Sequence, residues 1–224
     1  MLKGKISASM MCASLIDLKD DVRNLEEAGV EYLHIDIMDG VFVPNIMLSN
    51  AFILALRSIT DLPLDIHLMI TQPENKVEWF DIRKNDIVSI HYESTSNVIG
   101  TLQLIEKIGG IPAVALSPAT PISVLTYLLE NLKMINIMAV NPGFAGREMV
   151  PMTLDKIRDT RTFLDTKGKA DIMIEVDGNV TFDNAARMRE AGADIFVAGS
   201  SSIFKANKSV KDTVDNLRDA ILGY

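Results

Sequence analysis

Eight short apolar runs recur along the chain, separated by stretches whose apolar residues are spaced for helices, and few folds accept that alternation. The runs are KISASMM, YLHIDIM, LPLDIHLMI, DIVSIHY, GIPAVALS, MINIMAV, DIMIEVD and ADIFVAGS. Between the first two, Leu15, Leu18, Val22 and Leu25 keep helical spacing until Gly29 stops the helix. Thr153 is expected to cap a helix bearing Leu154, Ile157 and Leu164 that ends near Gly168, and Thr181 to cap one ending at Gly192. EAGVEYLHID and EAGADIFVAG repeat the same helix-stop-then-strand junction. Eight units in 224 residues average 28 residues each, at the lower end of the (β/α)8 range. Nearly all-apolar strands fit a parallel sheet covered by helices. The expectation is one α/β catalytic domain spanning 1–224, a single TIM barrel. The alternative is an open doubly wound sheet with its ligand at a switch point.

Charge and cysteine content narrow the functional classes. A formal charge of −8 argues against a basic nucleic-acid surface. Cys12 is the only cysteine, so an internal disulfide and a cysteine zinc cluster are both excluded. No apolar run reaches the roughly 18 residues of a membrane helix, and MLKGKISASMMCASLIDLKDD turns charged too early for a signal peptide. A cytoplasmic protein acting on a small molecule, with no nucleic-acid or membrane partner, is expected.

In a barrel enzyme the reacting groups stand at the carboxyl ends of strands. The second run presents His34, Asp36 and Met38 on one face, with Ile35 and Ile37 on the other. The third presents Asp65, His67 and Met69 with the same parity, the fourth His91 and Glu93, the first Ser7 and Ser9, and the seventh Glu175 and Asp177. His34, His67, Asp36 and Asp177 thus converge from three strands, and two imidazoles with two carboxylates suit one divalent ion: Zn, Fe, Mn or Co. Burial would cost Asp36 and Asp177 several kcal/mol each unless they were paired or bound to metal. His91 and Glu175 receive no role.

Glycine-rich turns follow the last strands: NPGFAGR at 141–147, DGN at 177–179 and AGSS at 198–201. Glycine lets backbone N–H groups approach an oxyanion, and the start of a following helix adds favourable partial charge. Together the turns point to a phosphate site. Met38, Met69 and Met138 fall at the same strand ends and are expected to line the pocket with thioethers. Trp79 is expected to pack, and Asp20, Asp21, Glu26 and Glu27 to form a solvated helix face.

HIDIMDGVFVPN, DIHLM, LSPATP, VNPGFAG, EVDG and GADIFVAGSS, in this order and spacing, resemble the ribulose-phosphate 3-epimerase family over nearly the whole chain. The resemblance implies a (β/α)8 barrel, a divalent cation held by His34, Asp36, His67 and Asp177, and Asp36 and Asp177 as the acid/base pair. It also implies contact with a ketose phosphate through Ser9, His67, Met38, Met69 and Met138. The phosphate end is assigned to Gly143, Phe144, Ala145, Gly146, Gly178, Asn179, Gly199 and Ser200, and a homo-oligomer is implied as well. Where pentulose-specific members usually carry Gly, this chain has Ala145 and Asn179. Ser117 and the stretch Met11 to Ser14 also differ, and the pattern is more similar to the branch acting on allulose 6-phosphate. The expected reaction is inversion at C3 of a ketose phosphate by proton removal beside the C2 carbonyl. D-allulose 6-phosphate is the expected substrate, with D-ribulose 5-phosphate close behind.

Two other functions share parts of this pattern. A metal-dependent sugar-phosphate aldolase would use the same cation, whereas a Schiff-base aldolase would need a strand-end lysine, which the eight runs lack. A phosphosugar-sensing barrel would use the glycine turns but leave the carboxylates and imidazoles without a task.

Overall fold

The computed structural model describes residues 4–223. Eight parallel strands close into a barrel: β1 (Lys5–Ser9), β2 (Tyr32–Asp39), β4 (Leu64–Met69), β5 (Ile87–His91), β6 (Ile111–Leu116), β7 (Met134–Met138), β8 (Met173–Asp177) and β9 (Ile195–Ala198). Pairing of β1 with β2, Ser9 opposite His34, completes the ring and excludes the open sheet. The two-residue β3 (Ile46–Met47) runs antiparallel to β2, folding the loop after β2 back beside the barrel mouth. Among the described residues, six α-helices lie between and after the strands: α1 (Leu18–Glu27), α2 (Asn50–Arg57), α3 (Val98–Lys107), α4 (Thr153–Thr166), α5 (Phe182–Ala191) and α6 (Val210–Leu222).

Several local expectations are corrected. After β4 and after β6 the connection is made of 3-10 turns instead of an α-helix: Pro73–Asn75 and Val77–Trp79 in the first case, Ile122–Tyr127 and Leu129–Asn131 in the second. Trp79 ends such a turn and is 64% exposed, so it does not pack. Leu15 precedes α1 and is also exposed. Thr153 is the first residue of α4, and its hydroxyl donates to the Val150 carbonyl instead of accepting from the helix. Thr181 does cap α5, accepting from the Asn184 N–H, and Gly192 ends that helix with φ of 114°.

The barrel has an apolar floor made of Tyr32, Ile87, Ala113, Met134 and Ile195. Above it lies a fully buried polar layer of Ser7, His34, Asp65, Ser89, Asn136 and Glu175. The alternate residues, such as Ile35, Ile37, Ile66, Leu68, Ile174 and Val176, face outward into the larger core shared with the helices.

Three ion pairs fasten the lower rim, each with a carboxylate one residue before a strand. Glu31 accepts from the Ile6 N–H at 2.8 Å and pairs with Arg218 of α6 at 3.0 Å. Asp86 accepts from the Leu64 N–H at 2.9 Å and pairs with Arg57 of α2. Asp194 accepts from the Ile174 N–H at 3.0 Å and pairs with Arg161 of α4. Each carboxylate satisfies a backbone donor of a neighbouring strand while tying a helix to the barrel. Asp86 and Arg57 are the most buried pair, so Asp86→Ala leaves the Leu64 and Arg83 N–H groups without their acceptor and Arg57 with Asp81 alone as partner. The expected loss is about 3–5 kcal/mol, or roughly 6–20 °C in Tm for a chain of this size. Thermal unfolding measures it, and a shift below about 2 °C would remove Asp86 from this role.

Candidate active site

The site is built at the upper end of the barrel by strand parity. Asp36 pairs in register with His67, His34 with Asp65, and Met138 with Asp177. His34 and His67 are fully buried, and Asp36 and Asp177 come up beside them at the cavity. One ligand atom from each of His34, Asp36, His67 and Asp177 lies within 4.8 Å of the others. His34 Nε2 is 3.2 Å from Asp36 Oδ1 and 3.7 Å from Asp177 Oδ2. His67 Nδ1 is 3.4 Å from Asp36 Oδ1 and 3.3 Å from Asp177 Oδ2.

These separations bear on whether the four residues fit an ion. Ligand bonds of about 2.0–2.2 Å in a tetrahedron place donor atoms roughly 3.3–3.6 Å apart. His67 Nδ1 is buried without a hydrogen-bond partner, an arrangement that is costly unless something else accepts its lone pair. Two nitrogens and two oxygens form a donor set suited to Zn, Fe, Mn or Co. The residues therefore fit a divalent cation.

The electrostatics follow from the same packing. Burial opposes ionisation of Asp36, but His34 and His67 outweigh it and hold the carboxyl far below its usual range. Burial likewise disfavours charge on His34 and His67, and the surrounding carboxylates reverse this and raise both. Asp65 supports the cluster from below: its Oδ2 is 2.6 Å from His34 Nδ1 and accepts from the Ser7 hydroxyl at 2.8 Å. A carboxylate at Nδ1 leaves Nε2 as the lone pair that faces Asp36 and Asp177. Glu175 lies beside Asp65, and burial together with the Asp65 charge pushes its pKa well above the normal range. A protonated Glu175 sits beside Asp65 without adding a further negative charge.

One cavity gathers Ser9, Asp36, Met38, Met69, Met138, Asp177, Gly178, Asn179, Gly199, Ser200 and the turn from Gly143 through Phe144 and Ala145 to Gly146. His67 faces the ligand cluster beneath that cavity, and His91 lies behind His67. Met38 and Met69 pack with Val43, and Met11, Phe42 and Met47 pack against that group. Ser9 donates to Asp36 Oδ2 at 3.2 Å.

The motif HIDIMDGVFVPN has a mechanical basis. Asp39 accepts from the N–H groups of Val41 and Phe42, both at 2.9 Å, and from the Thr71 N–H at 2.8 Å, which fastens the loop after β2 to the end of β4. Asn45 then donates to the Gly143 carbonyl at 2.9 Å, joining this loop to the glycine turn across the mouth. Gly143 has φ of 113°, and a Cβ there would lie 3.2 Å from Val43, so the approach requires glycine. Gly178 is stricter, with φ of 109° and a Cβ position only 2.6 Å from Val140.

Not every part of the phosphate expectation follows the same geometry. α5 begins at Phe182, close behind Asn179, whereas α6 begins only at Val210, well past Gly199. At Gly199 the chain instead makes a single tight turn, with the N–H groups of Ser202, Ile203 and Phe204 all directed at its carbonyl. The sequence reading also missed Arg147. It is the one Lys or Arg lining the cavity among the described residues, with its guanidinium 5.4 Å from the Phe144 ring centre. Its place directly after the glycine turn was the available signal.

The family model for the ribulose-phosphate 3 epimerase family matches residues 5–204. The chain belongs to this family. It is 40% identical over 197 residues to the ribulose-phosphate 3-epimerase of Bacillus subtilis (strain 168), covering 88% of this chain and 91% of that protein. It is 37% identical over 217 residues to the Escherichia coli (strain K12) ribulose-phosphate 3-epimerase, covering 96% and 95%. Among solved structures it is similar to 3-keto-L-gulonate-6-phosphate decarboxylase from Vibrio cholerae, with a TM-score of 0.73 over 99% of both chains. Identity there is 11%, so that similarity concerns the barrel alone. As a member of the epimerase family the chain is an isomerase.

Proposed function

We propose that residues 1–224 form one catalytic domain, a divalent-metal-dependent ketose-phosphate 3-epimerase, and that it prefers D-allulose 6-phosphate, with D-ribulose 5-phosphate also accepted. Ribulose-phosphate 3-epimerase activity is supported by the family and by the curated relatives. The observation that carries the reading is the convergence of His34, Asp36, His67 and Asp177 beside a cavity whose far side is made of glycine turns. Cytoplasmic residence and a homo-oligomeric state belong to the same reading, carried over from the family.

His34, Asp36, His67 and Asp177 would hold the cation. When bound, it supplies a fixed positive charge against which negative charge can develop on the substrate oxygens. Asp36 on β2 and Asp177 on β8 flank the cavity from different strands. One carboxylate takes the C3 proton and the other returns a proton to the opposite face, so configuration inverts and no atom is lost. Ser9 orients Asp36 through its hydroxyl. The turn 143–146, Gly178, Asn179, Gly199 and Ser200 take the phosphate, with Arg147 as the nearby cation, and this remote contact fixes C3 between the carboxylates. Met38, Met69 and Met138 keep water away from the reacting carbon.

Preference for the hexulose rests on Met11, Cys12, Ala145 and Asn179. Ala145 and Asn179 add bulk where glycine would leave more room, which by itself opposes a longer substrate. Two features compensate. Asn179 stands at φ of 51°, a conformation asparagine tolerates, and its Oδ1 accepts from Asn184 Nδ2 at 2.8 Å. The side chain is thereby held by α5, and its own Nδ2 remains a donor for an anion. Met11 and Cys12 line the same cavity, with Cys12 against Gly199 and Ser200, and alter its shape there.

Three outcomes are expected. Chelation abolishes turnover while circular dichroism stays native, because the apolar core holds the fold without the ion; full activity in verified metal-free protein would overturn the metal's role. Asp36→Asn and Asp177→Asn each lose about 10²–10⁴ in kcat and in deuterium wash-in at C3, measured beside metal content. A metal-replete Asp177→Asn enzyme with normal kcat would remove that residue from the mechanism, and absence of wash-in by the wild type would favour an aldolase or a sensor. Finally, kcat/KM on one metal-loaded preparation favours allulose 6-phosphate over ribulose 5-phosphate. One carbon unit is worth only about 1–3 kcal/mol, so both sugars react. A ratio of about tenfold or more in favour of ribulose 5-phosphate would overturn the preference.

A further inference from the structure

Two residues that the reaction itself does not use, the buried His91 and the partly exposed Glu93, form a hydrogen-bonded line that ends on His67. His91 Nε2 is 2.9 Å from His67 Nε2, and the two rings meet edge to edge, 23° from parallel with centres 5.0 Å apart. His91 Nδ1 is 3.1 Å from Glu93 Oε2. Glu93 Oε1 in turn accepts from the Ser117 N–H at 2.9 Å and from the Thr120 hydroxyl. Phe42 packs on the outer face of His91 at 4.7 Å between ring centres, and the His91 side chain is fully buried.

Donor and acceptor roles along this line have one consistent assignment. Glu93 accepts two hydrogen bonds at one oxygen, as an ionised carboxylate does, so the proton of the third contact belongs to His91 Nδ1. With its Nδ1–H given to Glu93 and its ring fully buried beneath Phe42, His91 is a neutral imidazole that turns Nε2 to His67 as an acceptor. The hydrogen between the two imidazoles therefore sits on His67 Nε2. What remains on His67 is the Nδ1 lone pair, the buried atom without a hydrogen-bond partner, aimed between Asp36 and Asp177.

We infer that Glu93 and His91 are positioning residues that fix His67 in the one tautomer able to bind a divalent cation through Nδ1. The inference rests on the metal-dependent reading above. Without an acceptor behind it, His67 gains by placing its proton on Nδ1 toward the two carboxylates, and a protonated nitrogen cannot be a ligand. Partners of this kind behind a metal histidine are commonly worth 10–100-fold in metal affinity.

Co²⁺ affinity, measured by competition with a chromophoric chelator, tests this on the whole protein. His91→Phe keeps an aromatic ring beneath Phe42 but removes the acceptor, and about a 10–100-fold weaker Co²⁺ site is expected. His91→Gln, whose amide oxygen can still accept from His67 Nε2, is expected to recover most of that loss. In long-range ¹H–¹⁵N spectra of the Zn²⁺-loaded wild type, His67 is expected to carry its proton on Nε2, and His34 on Nδ1. Unchanged Co²⁺ affinity in His91→Phe, equal losses in the Phe and Gln variants, or a His67 proton on Nδ1 would each overturn the relay. A wild type that binds no Co²⁺ at all would overturn the metal reading itself, a different result from an intact site indifferent to His91. If His91→Phe does not fold, Glu93→Gln, which can donate to His91 and reverse the line, is expected to weaken Co²⁺ binding. The wild-type spectrum needs no variant.

Discussion

Everything above the barrel floor depends on placing Asp36 and Asp177 against two buried imidazoles where water is scarce. Carboxylates in such a place cost several kcal/mol each unless positive charge or donors meet them. Asp36 is met by His34, His67 and the Ser9 hydroxyl, and the cost then passes downward, because the imidazoles need partners of their own. Asp65 takes His34, Glu175 stays neutral beside Asp65, and His91 takes His67. The polar interior of this barrel is thus a consequence of its mouth. An apolar filling would pack as well but would leave His34 and His67 free to turn.

Strand parity made much of this legible in the sequence. A period of two puts His34, Asp36 and Met38 on one face whatever the surroundings, and register then brings Asp36 opposite His67. The glycine turns were legible because Gly143 and Gly178 occupy conformations and clearances that other residues resist. Elements that depend on tertiary packing were less visible. The 3-10 turns after β4 and β6 carry apolar residues at spacings that a helix also uses, so periodicity does not separate them. Thr153 has a capping residue's chemistry, yet its hydroxyl finds the Val150 carbonyl first. Roles for His91 and Glu175 required distances between strands, which no spacing along one chain supplies.

The two ends of the barrel carry different loads. At the lower rim, Glu31, Asp86 and Asp194 use charge to join helices to strand starts, and these pairs are remote from the cavity. At the upper rim, Asp39 and Asn45 use neutral and charge-assisted hydrogen bonds to join the loop after β2 to the end of β4 and to the glycine turn. The first set holds the barrel together, and the second holds the loops over it in register. A barrel can therefore exchange loop residues such as Met11, Cys12, Ala145 and Asn179 without disturbing the pairs that keep it closed.

The two imidazoles turn different nitrogens toward the same point, Nε2 from His34 and Nδ1 from His67. That asymmetry follows from register: His34 lies one layer deeper than Asp36, whereas His67 is level with it, so only the far nitrogen of the first and the near nitrogen of the second reach the carboxylates. Opposite tautomers require opposite partners, a carboxylate at Nδ1 for His34 and an acceptor at Nε2 for His67. A carboxylate placed directly behind His67 would add another negative charge to a pocket already holding Asp36 and Asp177. A neutral imidazole accepts the same hydrogen bond without that charge, and Glu93, farther out and partly exposed, then orients it where water still screens its carboxylate. Copying His34, Asp36, His67 and Asp177 onto another barrel would reproduce the ligands but not the protonation pattern that lets them bind.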